Sequence, residues 1–206
     1  MIRRIATVLA AVVLSACTTK SDATVRVAVD SAPWRRPGDA IDSILPMAEY
    51  LRRFRVGVDS PAALTSGYTT REALVRGYLA ALSRSDTATL SRLLVTRAEF
   101  AWLLFPDHRY AAAPYELDPA IFWRQVTQSN AKGMARALAR HRGMSLALLE
   151  LQCTRDTLQL VRGRTALWGP CQVTYRAGDS TFTRQLFGSI VDRDGGVKFL
   201  SYANDF

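Results

Sequence analysis

The chain has only two histidines and three cysteines in 206 residues. Lys20, Lys132 and Lys198 are its only lysines. His108 and His141 lie far apart and form no HExxH motif, and no two cysteines stand as CxxC. Zinc sites need three or four ligands at such spacings, so no metal centre is expected. Glycine-rich phosphate loops, paired carboxylates and a Ser-His-Asp arrangement are also missing, so no cofactor and no catalytic residue is assigned. There is no run of about 20 apolar residues, the length a membrane-spanning helix requires. The longest apolar stretch, Ile5 to Leu14, is half that and contains Thr7.

That short stretch is nevertheless informative. Arg3 and Arg4 precede it and small residues follow it, the pattern of a secretory leader. Leu14-Ser15-Ala16-Cys17 resembles the bacterial lipoprotein signal, in which a leucine and two small residues precede a cysteine. The resemblance implies that residues 1–16 are a signal peptide and that Cys17 is acylated as the first mature residue. Several acyl chains hold a protein firmly to a bilayer, whereas one holds it marginally. Thr18 stands where inner-membrane retention signals carry Asp, so the resemblance implies the outer membrane, facing the periplasm. The alternative is an ordinary secretory leader that contains a cysteine.

The formal net charge of +9 comes almost wholly from arginine. Arginine and alanine bias is what a GC-rich coding sequence produces, and an exported protein meets little nucleic acid. No nucleic-acid partner is expected. Anionic lipid headgroups or acidic polymers remain compatible with a basic surface.

Residues 17–40 read as a flexible tether, with Pro33, Pro37 and Gly38 and no sustained period. Val25 to Val29 alternates, but no partner strand is evident nearby. Residues 41–68 form an amphipathic helix and a connector. Ile41, Ile44, Leu45, Ala48, Leu51 and Phe54 recur at helical spacing, with a start near Pro46. Arg52, Arg53 and Arg55 would complement the helix C-terminus. This helix either packs on its own domain or lies on a membrane or partner.

Residues 69–206 read as one α+β domain, N-terminal helices packed on a C-terminal antiparallel meander sheet. Thr69 and Glu72 suggest a capping box, as do Thr96 and Glu99, and Asp86 caps a helix between them. Asp118-Pro119 starts a helix that runs toward His141, with a break expected over Ser129 to Gly133. After Gly143 the period changes to 2. Strands are expected over Ser145 to Cys153, Thr165 to Arg176, Thr181 to Asp192 and Val197 to Ala203.

Hairpin arithmetic links the cysteines left after acylation. Placing Cys153 opposite Cys171 centres a turn on Arg162-Gly163 and pairs Leu151 with Val173 and Leu149 with Tyr175. A turn at Gly178-Asp179 pairs Tyr175 with Phe182 and Cys171 with Leu186. A turn at Asp194-Gly195 pairs Ile190 with Phe199. All share one apolar face. In an oxidising compartment the two cysteines form a disulfide worth about 3 kcal/mol in the chain-entropy model. The alternative is two buried thiols.

The stretch Arg71-Glu72-Ala73-Leu74-Val75-Arg76-Gly77-Tyr78-Leu79-Ala80-Ala81-Leu82, followed by Asp86-Thr87-Ala88-Thr89-Leu90, resembles the NTF2-like (SnoaL-like, cystatin-like cone) superfamily. The resemblance covers Thr69 to Phe206 and implies a curved sheet wrapping helices around an apolar pocket. It departs in the middle, where Thr96 to Asp118 holds an extra helix and loop in place of an early strand. Some members are isomerases, cyclases or dehydratases using Asp, His or Tyr, and no such set maps onto this chain. Asp107-His108 is read as part of a surface loop, with its two side chains pointing apart.

Candidate ligand-binding residues are therefore few. Arg184 falls on the apolar face opposite Val173, where it anchors an anionic ligand or reaches solvent as the strand twists out. Trp102, Tyr110, Trp123 and Tyr175 are large aromatics that belong to the core or line a pocket mouth. Three functions fit: a non-catalytic envelope lipoprotein binding a protein partner or a small apolar or anionic ligand, an NTF2-like pocket enzyme, or a structural assembly protein. Non-reducing peptide mapping of exported protein is expected to recover Cys153 and Cys171 in one cross-linked species. Two free thiols would overturn the register argument.

Overall fold

A computed structural model of the chain describes residues 44–65, 67–156 and 164–206. The leader with Cys17, the Val25 to Val29 alternation and the Arg162-Gly163 turn lie outside the described residues. Ile44 to Phe206 forms one unit.

Proline, caps and glycines set the helix limits. Helix α1, Met47–Phe54, begins directly after Pro46. Its arginines do not simply sit at the end of the dipole. Arg52 and Arg53 turn back to Glu49, each at 2.7 Å. Arg55 lies 4.0 Å from the Trp102 ring centre and donates to the Ala101 carbonyl. Phe54 is buried edge-on against Phe100, so α1 packs on its own unit, while Ile44 is 89% exposed and lies off the buried face. Helix α2, Arg71–Ser83, is capped by Thr70, one residue later than expected. Asp86 caps α3, Thr87–Arg92. The Thr96–Glu99 capping box opens α4, Arg97–Glu99, which runs on into a π-helical segment, Phe100–Leu104.

Helix α5, Pro119–His141, is continuous through the expected break. Gly133 is there for close approach: a Cβ would lie 1.9 Å from the Tyr202 carbonyl oxygen. Asn130 completes this seam. Its amide accepts from Tyr202 N–H at 2.7 Å and donates to the Leu200 carbonyl at 3.1 Å.

The sheet is antiparallel, with strands β1 (Leu146–Asp156), β2 (Thr165–Ala177), β3 (Ser180–Arg184), β4 (Ser189–Arg193) and β5 (Gly196–Ser201). Its order is β1-β2-β4-β5, with β3 beside β2. Cys153 faces Cys171 and the two are disulfide-bonded, their Cα atoms 4.1 Å apart. Leu151 faces Val173, Tyr175 faces Phe182, Val173 faces Arg184 and Ile190 faces Phe199. Asp194 and Gly195 both have positive φ, as a tight two-residue hairpin requires.

Two expectations about the sheet fail, because a bulge and a change of strand partner interrupt the regular ladder. Tyr175 pairs with Leu148 rather than Leu149, because a bulge between Leu148 and Glu150 pushes Leu149 outward to 47% exposure. The strand expected over Thr181 to Asp192 is two strands. The end of β2 pairs with β3, whereas its start, Thr165 to Trp168, pairs with β4. Leu186 is therefore not a ladder partner of Cys171, although it is fully buried. At the fork a second bulge, between Cys153 and Arg155 on β1, accommodates Gly169-Pro170 on β2, where proline could not serve a regular ladder.

The sheet carries two cores. Leu74, Tyr78, Leu79 and Leu82 of α2 pack on Val173, Ile190 and Phe199. On the opposite face, Leu167 and Val191 pack on Phe100, Leu104 and Phe105. The single apolar face expected from alternation is thus only half of the picture around β4 and β5. Lys198, which pairs with Val191, points into this second layer and is 2% exposed. It donates to both Glu99 oxygens, at 3.2 and 2.9 Å. Thr65 N–H, Thr65 Oγ1–H and Thr96 N–H also donate to Glu99, at 2.6, 2.7 and 2.7 Å.

Burial pushes the Glu99 carboxyl up, but these donors outweigh it and hold it below the ordinary carboxylate range. A depressed carboxyl stabilises the fold above its unfolded pKa and loses that contribution as pH falls through the folded value. Lys198→Met leaves Glu99 buried without its cation and is expected to cost about 3–5 kcal/mol in urea unfolding. Lys198→Met combined with Glu99→Leu should recover much of that loss. A single variant as stable as the wild type would show that the pair contributes nothing.

Candidate functional site

Where β2 changes partner, the two layers do not close over the sheet. Gly169 and Gly188 meet at this fork, and a Cβ on Gly169 would lie 2.5 Å from the Gly188 carbonyl oxygen. Both glycines let neighbouring segments approach closely, and both line a cleft of about 510 Å³. Phe122, Val126, Leu167 and Leu200 contribute apolar surface; Gln125, Ser129, Ser189 and Ser201 contribute polar atoms. The α5 wall is fixed by the Asn130 and Gly133 seam. Asn204 extends it, donating to the Gly133 carbonyl at 2.8 Å.

His108, Tyr110 and Asp156 also line the cleft. His108 is 6% exposed, so the surface-loop reading of Asp107-His108 is corrected. The hydrophobic contacts of the neighbouring aromatics draw the ring in: Tyr110 and Phe122 lie 4.9 and 5.0 Å from it. The two neighbours do point apart. Asp107 pairs with Arg193 at 3.2 Å, and the same guanidinium nitrogen donates to the Leu103 carbonyl and Thr165 Oγ1, each at 2.7 Å. His108 Nδ1 accepts from Tyr110 N–H at 3.2 Å, which places the ring proton of the neutral imidazole on Nε2. Burial pushes His108 down to about 4; Arg109 adds to the fall and Asp156 opposes it. At neutral pH the residue is an uncharged donor.

The sequence-derived candidates separate in space. Only Tyr110 lines this cleft. Trp102 donates from its indole to the Val58 carbonyl at 3.3 Å under the Arg55 stack. Trp123 packs 5.1 Å from Phe100 in the second core. Tyr175 is buried beside a separate recess of about 200 Å³ shared with His141 and Phe182. His141 Nδ1 contacts the Ala137 carbonyl at 3.0 Å, so Nδ1 carries the proton and Nε2 accepts from Tyr175 O–H at 2.9 Å. Arg184 is half-buried at the end of β3, its Nε without a hydrogen-bond partner among the described residues, away from the cleft lining. The Cys153–Cys171 disulfide braces β1 against β2 beside the fork.

His108, Asp156, Ser189 and Ser201 were not among the candidates. The sequence signal available was Gly169-Pro170 within a strand, which marks an interruption rather than a ligand site. Among the described residues no group of His, Cys, Asp and Glu could hold a metal ion. Comparison with protein-family models, curated proteins and solved structures returns no match.

An NMR titration of His108 is expected to give a midpoint near 4 rather than the ordinary 6.5. Because the unfolded chain takes up this proton more readily, the stabilisation is complete above about 6.5 and is lost as pH falls toward 4, on the order of 3 kcal/mol in all. His141, also held low chiefly by burial, contributes in the same sense, so His108→Gln should flatten the slope without abolishing it. A midpoint above 6 would place the ring in water.

Proposed function

We propose that the chain is an outer-membrane lipoprotein, acylated at Cys17, whose NTF2-like α+β domain binds a small, largely apolar ligand without transforming it. The leader and the Leu14-Ser15-Ala16-Cys17 resemblance support the anchor. No helix among the described residues is long and apolar enough to cross a membrane, and an acyl anchor needs none. The helix-then-sheet order supports the NTF2-like reading.

The observation that carries the binding role is the cleft itself, apolar over most of its walls with His108 among its lining residues. The Tyr110 amide occupies the only basic nitrogen of that imidazole. Abstracting a proton would require breaking this bond inside a buried site. Donating Nε2–H to a ligand acceptor requires no such change. Pockets of this size with a few polar groups hold small molecules.

The enzyme reading has one specific observation in its favour, that Asp156 and His108 line the same cleft. Turnover that vanishes in His108→Ala would replace binding with catalysis.

The neutral probe N-phenyl-1-naphthylamine should bind the wild type with enhanced fluorescence. Val126→Trp, which fills the cleft, should weaken it at least about tenfold, or about 1.4 kcal/mol. Equal affinity in the two proteins would remove the cleft as the site. Metabolic labelling with palmitate is expected to mark the chain and to fail in Cys17→Ala. Label retained in that variant, or absent from the wild type, would overturn the anchor.

A further inference from the structure

The outer surface of α5 has a charge pattern that neither the cleft nor the core accounts for. No Asp or Glu occurs between Asp118 and Glu150, while Arg124, Lys132, Arg136, Arg140 and Arg142 all fall in that interval. All five are exposed. Among the described residues no carboxylate forms an ion pair with any of them. Arginines in the last turn complement the helix dipole, which explains Arg140. It does not explain Lys132 or Arg136, which lie further back.

The positions follow a stripe. Phe122, Gln125, Ser129, Lys132, Arg136 and Arg140 are separated by steps of three and four, which keeps them within about 80° of one another around the helix. The first three line the cleft. The last three continue the same flank toward the C-terminus as an unneutralised row of cations. Arg140 rests on the Phe206 ring, 5.1 Å from its centre, and keeps its charge outward. Arg124 and Arg142 lie about 120° away on another flank.

We infer that the Lys132–Arg136–Arg140 flank of α5 is a docking surface for the anionic headgroups of the bilayer that holds Cys17. The nearness of that bilayer rests on the lipid-anchor reading; the charge pattern does not. The chain between Cys17 and Ile44 reaches at most about 90 Å, so an acylated Cys17 keeps the domain within that distance of the headgroups. A cationic row held there meets a surface of opposite charge, and each cation near an anionic bilayer strengthens binding about fivefold. Because the row continues the cleft-lining flank, docking turns the cleft toward the lipid. A free acidic protein or polymer would match the charge equally well, but it is the bilayer that an acylated Cys17 brings beside the domain.

Sedimentation with vesicles tests this without the anchor. The mature chain, residues 17–206 with Cys17→Ala, is exported behind a leader that directs no acylation. It is mixed with phosphatidylcholine vesicles with or without phosphatidylglycerol. Binding is expected only where phosphatidylglycerol is present, and should fall steeply as salt rises from about 0.01 M to about 1 M and the screening length shrinks from about 30 Å to about 3 Å. Lys132→Gln with Arg136→Gln and Arg140→Gln should lower the partition coefficient about 100-fold. Arg124→Gln with Arg142→Gln removes two exposed cations from the other flank and should change it less than about threefold. An unchanged melting temperature and an intact Cys153–Cys171 bond confirm that each variant is folded. Failure of the unsubstituted flank to bind phosphatidylglycerol vesicles, or equal losses per charge from both flanks, would overturn the docking surface. Loss of palmitate label at Cys17 would instead overturn the anchor, and the vesicle result would still decide whether the flank binds lipid.

Discussion

The contact between Glu99 and Lys198 is the constraint on which the second layer of the structure depends. A carboxylate and an ammonium taken out of water cost several kcal/mol each unless every lone pair and proton finds a partner. Here the carboxylate receives five hydrogen bonds from three separate stretches: the Leu64–Thr65 connector, the start of α4 and strand β5. Satisfying one buried carboxylate brings those three stretches together. The pair therefore sets the position of α4 over β4 and β5. With α4 placed, Phe100, Leu104 and Phe105 cover Leu167 and Val191. Arg193 ties the same edge down through the Leu103 carbonyl, Asp107 and Thr165.

Placing that layer leaves the cleft. The aromatic segment covers the sheet as far as His108, and α5 covers it from the other side as far as the Asn130 seam. Between them lies the point where β2 exchanges β4 for β3. Glycines at the fork bring the backbones close without filling the space. His108 is thus buried by the layer that the ion pair positions, while its tautomer is fixed locally by Tyr110 N–H. In the proposed function, both features act in ligand recognition: the imidazole arrives neutral, oriented and with one proton to offer.

Much of the sheet was legible before the structure. Period 2, the Gly178-Asp179 and Asp194-Gly195 turns, and a single assumed pairing of Cys153 with Cys171 lead to most of the register observed. Those signals are local: turn residues and alternating burial act over a few positions. The misses are non-local. Leu149 was misplaced because a bulge changes the face of a strand without altering its composition. The break after Arg184 was hidden because the partner of β2 changes, not the propensity of the chain. Gly133 read as a helix breaker because its purpose, space for the Tyr202 carbonyl, comes from a segment about 70 residues away in sequence. Arg184, Trp102, Trp123 and Tyr175 were chosen for size and charge, properties that do not say which surface a side chain faces.

By itself the sequence determined the α+β order, the main caps, two tight turns and the disulfide partners, because each depends on neighbours in the chain or on a repeating period. It also contains the resemblance to a lipoprotein signal. Tertiary structure alone decided that Lys198 is buried, that His108 enters a cleft and that the cations of α5 share a flank with that cleft. Burial and charge balance are properties of a surface, and a surface exists only once distant segments have met.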